Sequence, residues 1–380
     1  MSLIKSFAIL LFTIGLPKIP TTEVPFMVLI MPFFFKSLVC IFRSYKFEII
    51  ISMLTLILWY TIASTSFLIN STTYKDFFFS FVLLFKFLLT FISAVIIAKV
   101  LDGNFSSLKY WVVFQITVAV LSIISPSFYS LMMYFISPRS AAIFQNVFGL
   151  RTVGFGLFHV EGAITLVSFI ALYMYVSKSF FSKILFFITF PISSGIARSS
   201  IVPFLAYSFF KKQLFILLLI MILVVFFAST LVTSGVLYES FELARSFLEN
   251  GSFSIGSTEA VEKMYTLPSE LTTYLIGDGS FYNPNNLSSF YMKTDVGYMR
   301  LLYFAGVPFV IVFVVINVLI PLSSFYFKKE QIKLHFGSDM LIFIISSLMI
   351  FFIMNFKGLF MLTTVSLVIP FWISFIERRK

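Results

Sequence analysis

Long apolar runs decide what this chain can become. Stretches of roughly 18 or more apolar residues, the length a helix needs to cross a hydrocarbon core, recur from end to end. Hydrophobic residues make up 59% of the sequence and charged ones only 11%. A water-soluble domain has no interior large enough to hide that much apolar surface, so the fold class is an all-α polytopic membrane protein. The single cysteine, Cys40, excludes an internal disulfide. A net charge of +11 would suggest nucleic acid in a soluble protein. Here the lysines cluster in short loops between apolar runs, so membrane topology accounts for them and no nucleic-acid partner is expected. The 54 phenylalanines read as lipid-facing bulk. The first residues, MSLIKSFAILLFTIG, have the charge-then-apolar order of a signal peptide. No small-residue cleavage site follows, so they read as a retained first helix.

Twelve spans are expected, at about 4–17, 22–42, 47–69, 77–101, 108–126, 158–177, 182–195, 199–210, 213–236, 295–320, 338–354 and 358–376. Alternation then puts Lys5, Arg43 with Lys46, Lys109, Lys178 with Lys183, Lys211 with Lys212, a KKEQIK loop from Lys328 and the ERRK tail on one side. The enrichment of Lys and Arg in cytoplasmic loops makes that side, with both termini, cytoplasmic. The seventh and eighth spans are short and fit a re-entrant pair or tilted helices around Ser193–Gly195.

Three regions follow: 1–236 with nine spans, an outer loop at 237–294, and 295–380 with three spans and a cytoplasmic tail. Within the first, about 127–157 mixes aromatics and Met and reads as an interfacial segment. The 237–294 loop holds seven acids (Glu239, Glu242, Glu249, Glu259, Glu262, Glu270, Asp278) against three bases (Arg245, Lys263, Lys293). A short helix is expected at 258–265. A second should start near Thr266 and Pro268 and stop before Gly277. Turns are expected at Gly277–Gly279 and Asn283–Asn286. No internal repeat is evident, unlike many transporters.

The arginines run against the topological bias. Of eight, only Arg43, Arg378 and Arg379 fall on the cytoplasmic side; Arg139, Arg151, Arg198, Arg245 and Arg300 sit at or near the other face. A guanidinium is a planar, permanently charged fork matched to phosphate oxygens, so a phosphate-bearing ligand would explain them.

Each candidate has a plainer alternative. Arg151 opens RTVGFGLFHVEG, whose glycines permit close backbone approach and whose His159 and Glu161 stand at a helix entrance; it could equally anchor at the interface. Arg198, in SSGIARSS, suits an anion or a snorkelling contact to lipid phosphate. Arg245 could pair with Glu242 or Glu249 on an exposed helix. In TDVGYMRLLYFAGVPF, Asp295 and Tyr298 should share a helix face, with Arg300 about 140° from Asp295 and facing protein or a water-filled cavity. Lys86 lies mid-span, as a functional cation or a snorkelling one. Lys357 faces outward and could complete the basic cluster. No phosphate loop, dinucleotide fingerprint or Cys/His spacing occurs, so neither metal nor cofactor is expected.

These motifs together resemble the bacterial O-antigen polymerases, which join oligosaccharide repeat units. RTVGFGLF around Arg151 and SSGIARSS around Arg198 carry part of the likeness. IGDGSF followed by TDVGYMRLLYFAGVPF carries most of it. As architecture the likeness covers most of the chain. It implies a GT-C-like fold with about twelve transmembrane helices and one large periplasmic loop late in the chain. It also implies glycosyl transfer at the periplasmic face of the inner membrane. The donor is a glycan on undecaprenyl diphosphate, the acceptor a lipid-linked repeat unit, and a chain-length regulator in the membrane a further partner.

Under that reading Arg151, Arg198, Arg245, Arg300 and Lys357 would stabilise the diphosphate leaving group. Glu161, Asp295, Asp278 and His159 are candidates for taking the acceptor proton. Tyr282, Tyr291 and Tyr298 could stack on sugar rings. Two alternatives share the layout. O-antigen ligases transfer the same donor to lipid A core but place a histidine in the late outer loop, where this chain has none. A flippase of lipid-linked oligosaccharide would use the same arginines without chemistry.

Overall fold

The structure is a computed structural model. It describes residues 1–70, 73–145, 148–210, 216, 219, 222–223, 226, 234–242, 245–246, 251, 263–360 and 364–379. The expected span at about 213–236 and the expected helix at 258–265, with Glu249, Glu259 and Glu262, lie largely or wholly outside these residues.

Among the described residues the architecture is helical apart from one hairpin. Six helices are long and apolar enough to cross a membrane: α2 (Met27–Ser44), α3 (Lys46–Asn70), α4 (Tyr74–Gly103), α5 (Ser106–Ile124), α8 (His159–Ser177) and α13 (Gly297–Phe336). Shorter apolar helices are α1 (Leu3–Thr13), α9 (Phe180–Ile196), α14 (Asp339–Met354) and α15 (Thr364–Glu377). Two short helices, α6 (Pro126–Met133) and α7 (Pro138–Phe144), occupy the segment expected to be interfacial. α10 (Ile201–Phe210) follows α9 across a single 3-10 turn at Arg198–Ser200.

The core is built on α4 and α8. From Leu89 to Leu101 α4 is almost wholly buried, against α1, α5 and α15. Its outer half is different: Phe78, Val82 and Phe85 are exposed, which suits a lipid-facing surface.

α13 differs from its expected form. The KKEQIK run is not a loop; the helix continues to Phe336, because Lys, Glu and Gln are good helix formers and no breaker appears before Gly337. The helix is interrupted instead at Ala305–Gly306, where Gly306 takes φ +78° and Pro308 follows. The outer loop contributes α12 (Leu271–Leu275) and a hairpin of β1 (Tyr282–Asn283) with β2 (Asn286–Phe290) around Pro284–Asn285. Both turns expected from sequence are present. α12 is shorter than expected and ends before Gly277, at φ +78°.

Charge separates to the two ends of the bundle. At one end Arg379 pairs with Asp102 at 2.8 Å, Lys328 with Glu377 at 3.3 Å, and Arg378 donates to the Cys40 carbonyl at 2.7 Å. The candidate site lies at the other.

Candidate functional site

The site is organised by a stretch of non-helical backbone. Residues 151–157 run between helices without helical hydrogen bonds of their own. Unpaired backbone is costly away from water, and α5 satisfies it with side chains. Gln115 accepts from the Phe155 amide at 2.9 Å and donates to the Phe155 carbonyl at 3.2 Å. Two turns on, Ser122 accepts from the Val153 amide at 3.1 Å. Thr152 donates its hydroxyl to the Ala119 carbonyl and its amide to the Gly195 carbonyl, the latter at 3.1 Å. Gly195 has no room for a Cβ, which would strike Thr152 and Val236. That contact brings the Arg151 segment against the Arg198 turn and α11 (Val236–Ser240).

Two arginines therefore meet. Arg198 lies between carboxylates, with Glu239 at 3.0 Å and Glu242 on its other terminal nitrogen. Arg151 keeps a buried Nη1 without a hydrogen-bond partner among the described residues. Burial holds the Arg151 guanidinium below its usual range; neighbouring Arg198 adds to this, while Glu239 and Glu242 oppose it. Lys357, at the turn after α14, is shifted the same way by burial, then by Arg151 and Arg198, with Asp295 opposing. His159, at the head of α8 with φ +53°, lies in the field of Lys357, Arg151 and Glu161 and sets its ring against Phe144 at 5.5 Å.

Asp295 joins this group to Arg300. Its carboxylate stands 3.6 Å from the Arg300 guanidinium and is half exposed, whereas Arg300 is buried. Burial raises the Asp295 carboxyl above its ordinary range, against the pull of Arg300 and Lys357. The 140° separation does not apply, because Asp295 precedes the helix: α13 begins at Gly297 after extended backbone at Val296. For the same reason Asp295 and Tyr298 do not share a face. Tyr298 turns to α14, donating to the Phe352 carbonyl at 2.9 Å and packing on Phe356. Arg300 faces protein as expected, stacked 3.6 Å over Phe290 of the hairpin.

Lys86 is paired, 2.6 Å from Glu161, with both side chains about a third exposed. Glu161 is therefore a salt-bridged group. Helical rise places Lys86 about 18 Å along α4 from Tyr74, so the pair lies about three turns in from that helix's start. Lys18 is held below the usual lysine range chiefly by burial, with Glu23 opposing and Lys86 and Glu161 also nearby.

Three other sequence candidates take structural places. Asp278 accepts from the Thr273 hydroxyl at 2.6 Å and bonds Tyr291, while its amide donates to the Tyr303 carbonyl. It lies in the turn packed on the α13 kink and is not placed with the arginines. Tyr291, bonded to that carboxylate and edge-on to Tyr303, belongs to the same packing. Tyr282 is buried between Arg139, whose Nη1 reaches its hydroxyl at 3.3 Å, and Lys75, 4.8 Å from the ring. Glu242 pairs with Arg198, while Arg245 stacks on Tyr238 and donates to that residue's carbonyl at 3.1 Å; its other expected partner, Glu249, lies outside the described residues.

Sequence reading missed several determinants. Glu239 counted only as loop acidity, and Glu242 as a partner for Arg245 rather than for Arg198. Gln115 and Ser122, seven apart on one face of an apolar helix, were a readable signal. So was Thr73 three residues before Asp76: Thr73 caps α4, and buried Asp76 accepts from the Phe281 and Tyr282 amides at 2.9 and 3.0 Å, fixing the hairpin.

Compared with protein-family models, curated proteins and solved structures, the chain matches none.

Proposed function

We propose that the chain is a glycosyltransferase of the O-antigen polymerase kind. It moves a growing glycan from undecaprenyl diphosphate to a lipid-linked repeat unit at the periplasmic face of a bacterial inner membrane. The observation carrying this reading is the convergence of Arg151, Arg198 and Lys357 from three distant parts of the sequence, with one Arg151 nitrogen buried and unpartnered among the described residues. A buried guanidinium without a partner favours an anionic ligand.

In this reading an acceptor hydroxyl oxygen attacks the anomeric carbon. The bond from that carbon to the phosphate oxygen breaks, and its electron pair leaves with the diphosphate. Arg151 and Lys357 stabilise the developing charge, with Arg198 held beside them by Glu239 and Glu242. Asp295 takes the hydroxyl proton. It is preferred to Glu161, which is tied to Lys86, and to Asp278, which is tied to Thr273 and Tyr291. Burial makes the Asp295 carboxylate more basic, and its half exposure leaves it accessible. Twelve spans, cytoplasmic termini and a chain-length regulator as partner belong to the same proposal.

The test in cells is direct. Cells lacking the chain should carry lipid A core capped by single repeat units. The wild-type gene should restore long chains, and an Arg151→Ala gene at equal protein level should not. Long chains without the gene would refute the reading.

A further inference from the structure

The outer segment holds a cavity of about 240 Å³ away from the charged cluster, lined by polar Thr21, Ser130, Tyr134 and Gln145 together with apolar residues that include Met133 and Ala141. We infer that this cavity is a binding subsite for an uncharged pyranose ring. It rests on the proposed glycan chemistry for its biological meaning, though not for the binding itself.

The lining selects the ligand class. Among the described residues it contains no Lys, Arg, Asp or Glu, so neither a phosphate nor a metal ion finds a counter-charge there. The Ser130 hydroxyl, the Tyr134 hydroxyl and the Gln145 amide make no hydrogen bond to the described residues, and Thr21 spends its one proton on the Pro20 carbonyl at 2.6 Å. Donors and acceptors thus share the lining with apolar side chains. A hydrocarbon chain would leave these groups unmatched at a cost. A pyranose has apolar C–H faces for side chains such as Met133, Pro138 and Ala141, and hydroxyls for the polar groups of the lining.

The position fits as well. The cavity uses one side of α7, through Pro138, Ala141 and Ala142. From the same helix Arg139 reaches Tyr282 and Phe144 packs on His159. A sugar held there would sit against the helix that borders the cationic cluster. The tyrosines expected to hold sugars are instead engaged in packing and hydrogen bonds, whereas Tyr134 is exposed.

The test is saturation-transfer NMR on the detergent-purified full chain, with free glucose, galactose, mannose and N-acetylglucosamine as probes and the acyclic polyol mannitol as control. At least one pyranose should receive saturation that mannitol does not. The signal should fall at least fivefold in both Tyr134→Ala and Gln145→Ala and persist in Arg198→Ala. Circular dichroism confirms that each variant is folded; Ser130→Ala serves in place of one that is not. No transfer to any pyranose, equal transfer to mannitol, or signals unchanged in the cavity variants would overturn the inference. Sugar binding in a protein that never extends a glycan would sink the polymerase reading alone.

Discussion

Gly277 and Gly306 lock together. Both take φ +78°, and a Cβ on either would collide with the other's segment: Gly277 faces the backbone of Phe304 and Ala305, and Gly306 faces the carbonyl groups of Tyr274 and Leu275. The joint is completed by the Asp278 and Gly279 amides donating to Tyr303 and Phe304 and by Asn70 donating to the Gly277 carbonyl at 3.0 Å. The loop's Gly-Asp-Gly turn thus supplies donors to carbonyls at the kink, with Ser66 donating to Phe304 as well at 2.7 Å. Gly277→Ala or Gly306→Ala should cost about 2–4 kcal/mol, from the left-handed backbone and the overpacking together. Thermal unfolding in detergent measures it. Gly103→Ala, where a Cβ meets nothing within 4 Å, is the control and should leave the melting temperature unchanged.

The backbone of 152–155 depends on two α5 side chains. Gln115→Leu removes both partners of Phe155 and should destabilise by about 1–3 kcal/mol per stranded group. Ser122→Ala strands the Val153 amide and should cost less than Gln115→Leu. Both should also weaken pyrophosphate binding, since Arg151 begins this segment. Loss of stability with full pyrophosphate affinity would separate the framework from the site.

Arg198 is shared between its glutamates and any bound anion. Glu239→Gln with Glu242→Gln should tighten pyrophosphate binding about two- to tenfold, as expected for removing two partly exposed ion pairs. Calorimetry on purified protein reads this. Weaker binding would mean that the glutamates matter chiefly by holding the guanidinium in place. Arg198→Lys should bind poorly in either case, because an ammonium lacks the planar fork that spans two carboxylates.

Asp295 should give the site a pH dependence, with its sign set by the raised carboxyl. Its carboxyl is raised above the ordinary value, so it takes up a proton at a pH above the usual carboxylate range. Protonation removes a negative charge facing Arg300 and Lys357. Pyrophosphate affinity should therefore rise as pH falls through the Asp295 titration, after correction for the ligand's own protonation. The same group is a stability liability when ionised: its raised value means stability is lost as pH rises from the unfolded-state value through the folded one. Asp295→Asn should bind as the wild type does at low pH and lose that limb of the profile. A wild-type profile in the variant would remove Asp295 from the site.

Topology is checked by labelling in a Cys40→Ser background. A cysteine replacing Asn285, exposed at the hairpin tip, should react with an impermeant maleimide on intact spheroplasts. One replacing Glu330, on the opposite end of α13, should react only after lysis. The reverse pattern would invert the orientation.

The sequence made the helices legible because spans advertise themselves by length and composition, as α3, α4 and α8 show. It also made both turns of the outer loop legible, since Gly277–Gly279 and Asn283–Asn286 are local signals. The joins were harder. That Arg198 would find Glu239 and Glu242 rather than stand open depends on α11 packing beside Gly195, a tertiary fact with no local signature. Likewise the angular argument separated Arg300 from Asp295 by assuming a helix that starts two residues later. Asp278 sits in the Gly-x-Gly motif that drew attention to it, and the motif's physical reason is the joint to Gly306.

The most direct measurement is reconstitution: purified protein in liposomes with lipid-linked repeat unit, read as a glycan ladder on a gel. The account predicts a ladder with the wild-type chain and only the single repeat unit with Arg151→Ala or Arg198→Ala. No ladder from folded protein and verified substrate, or equal ladders from all three, would contradict it.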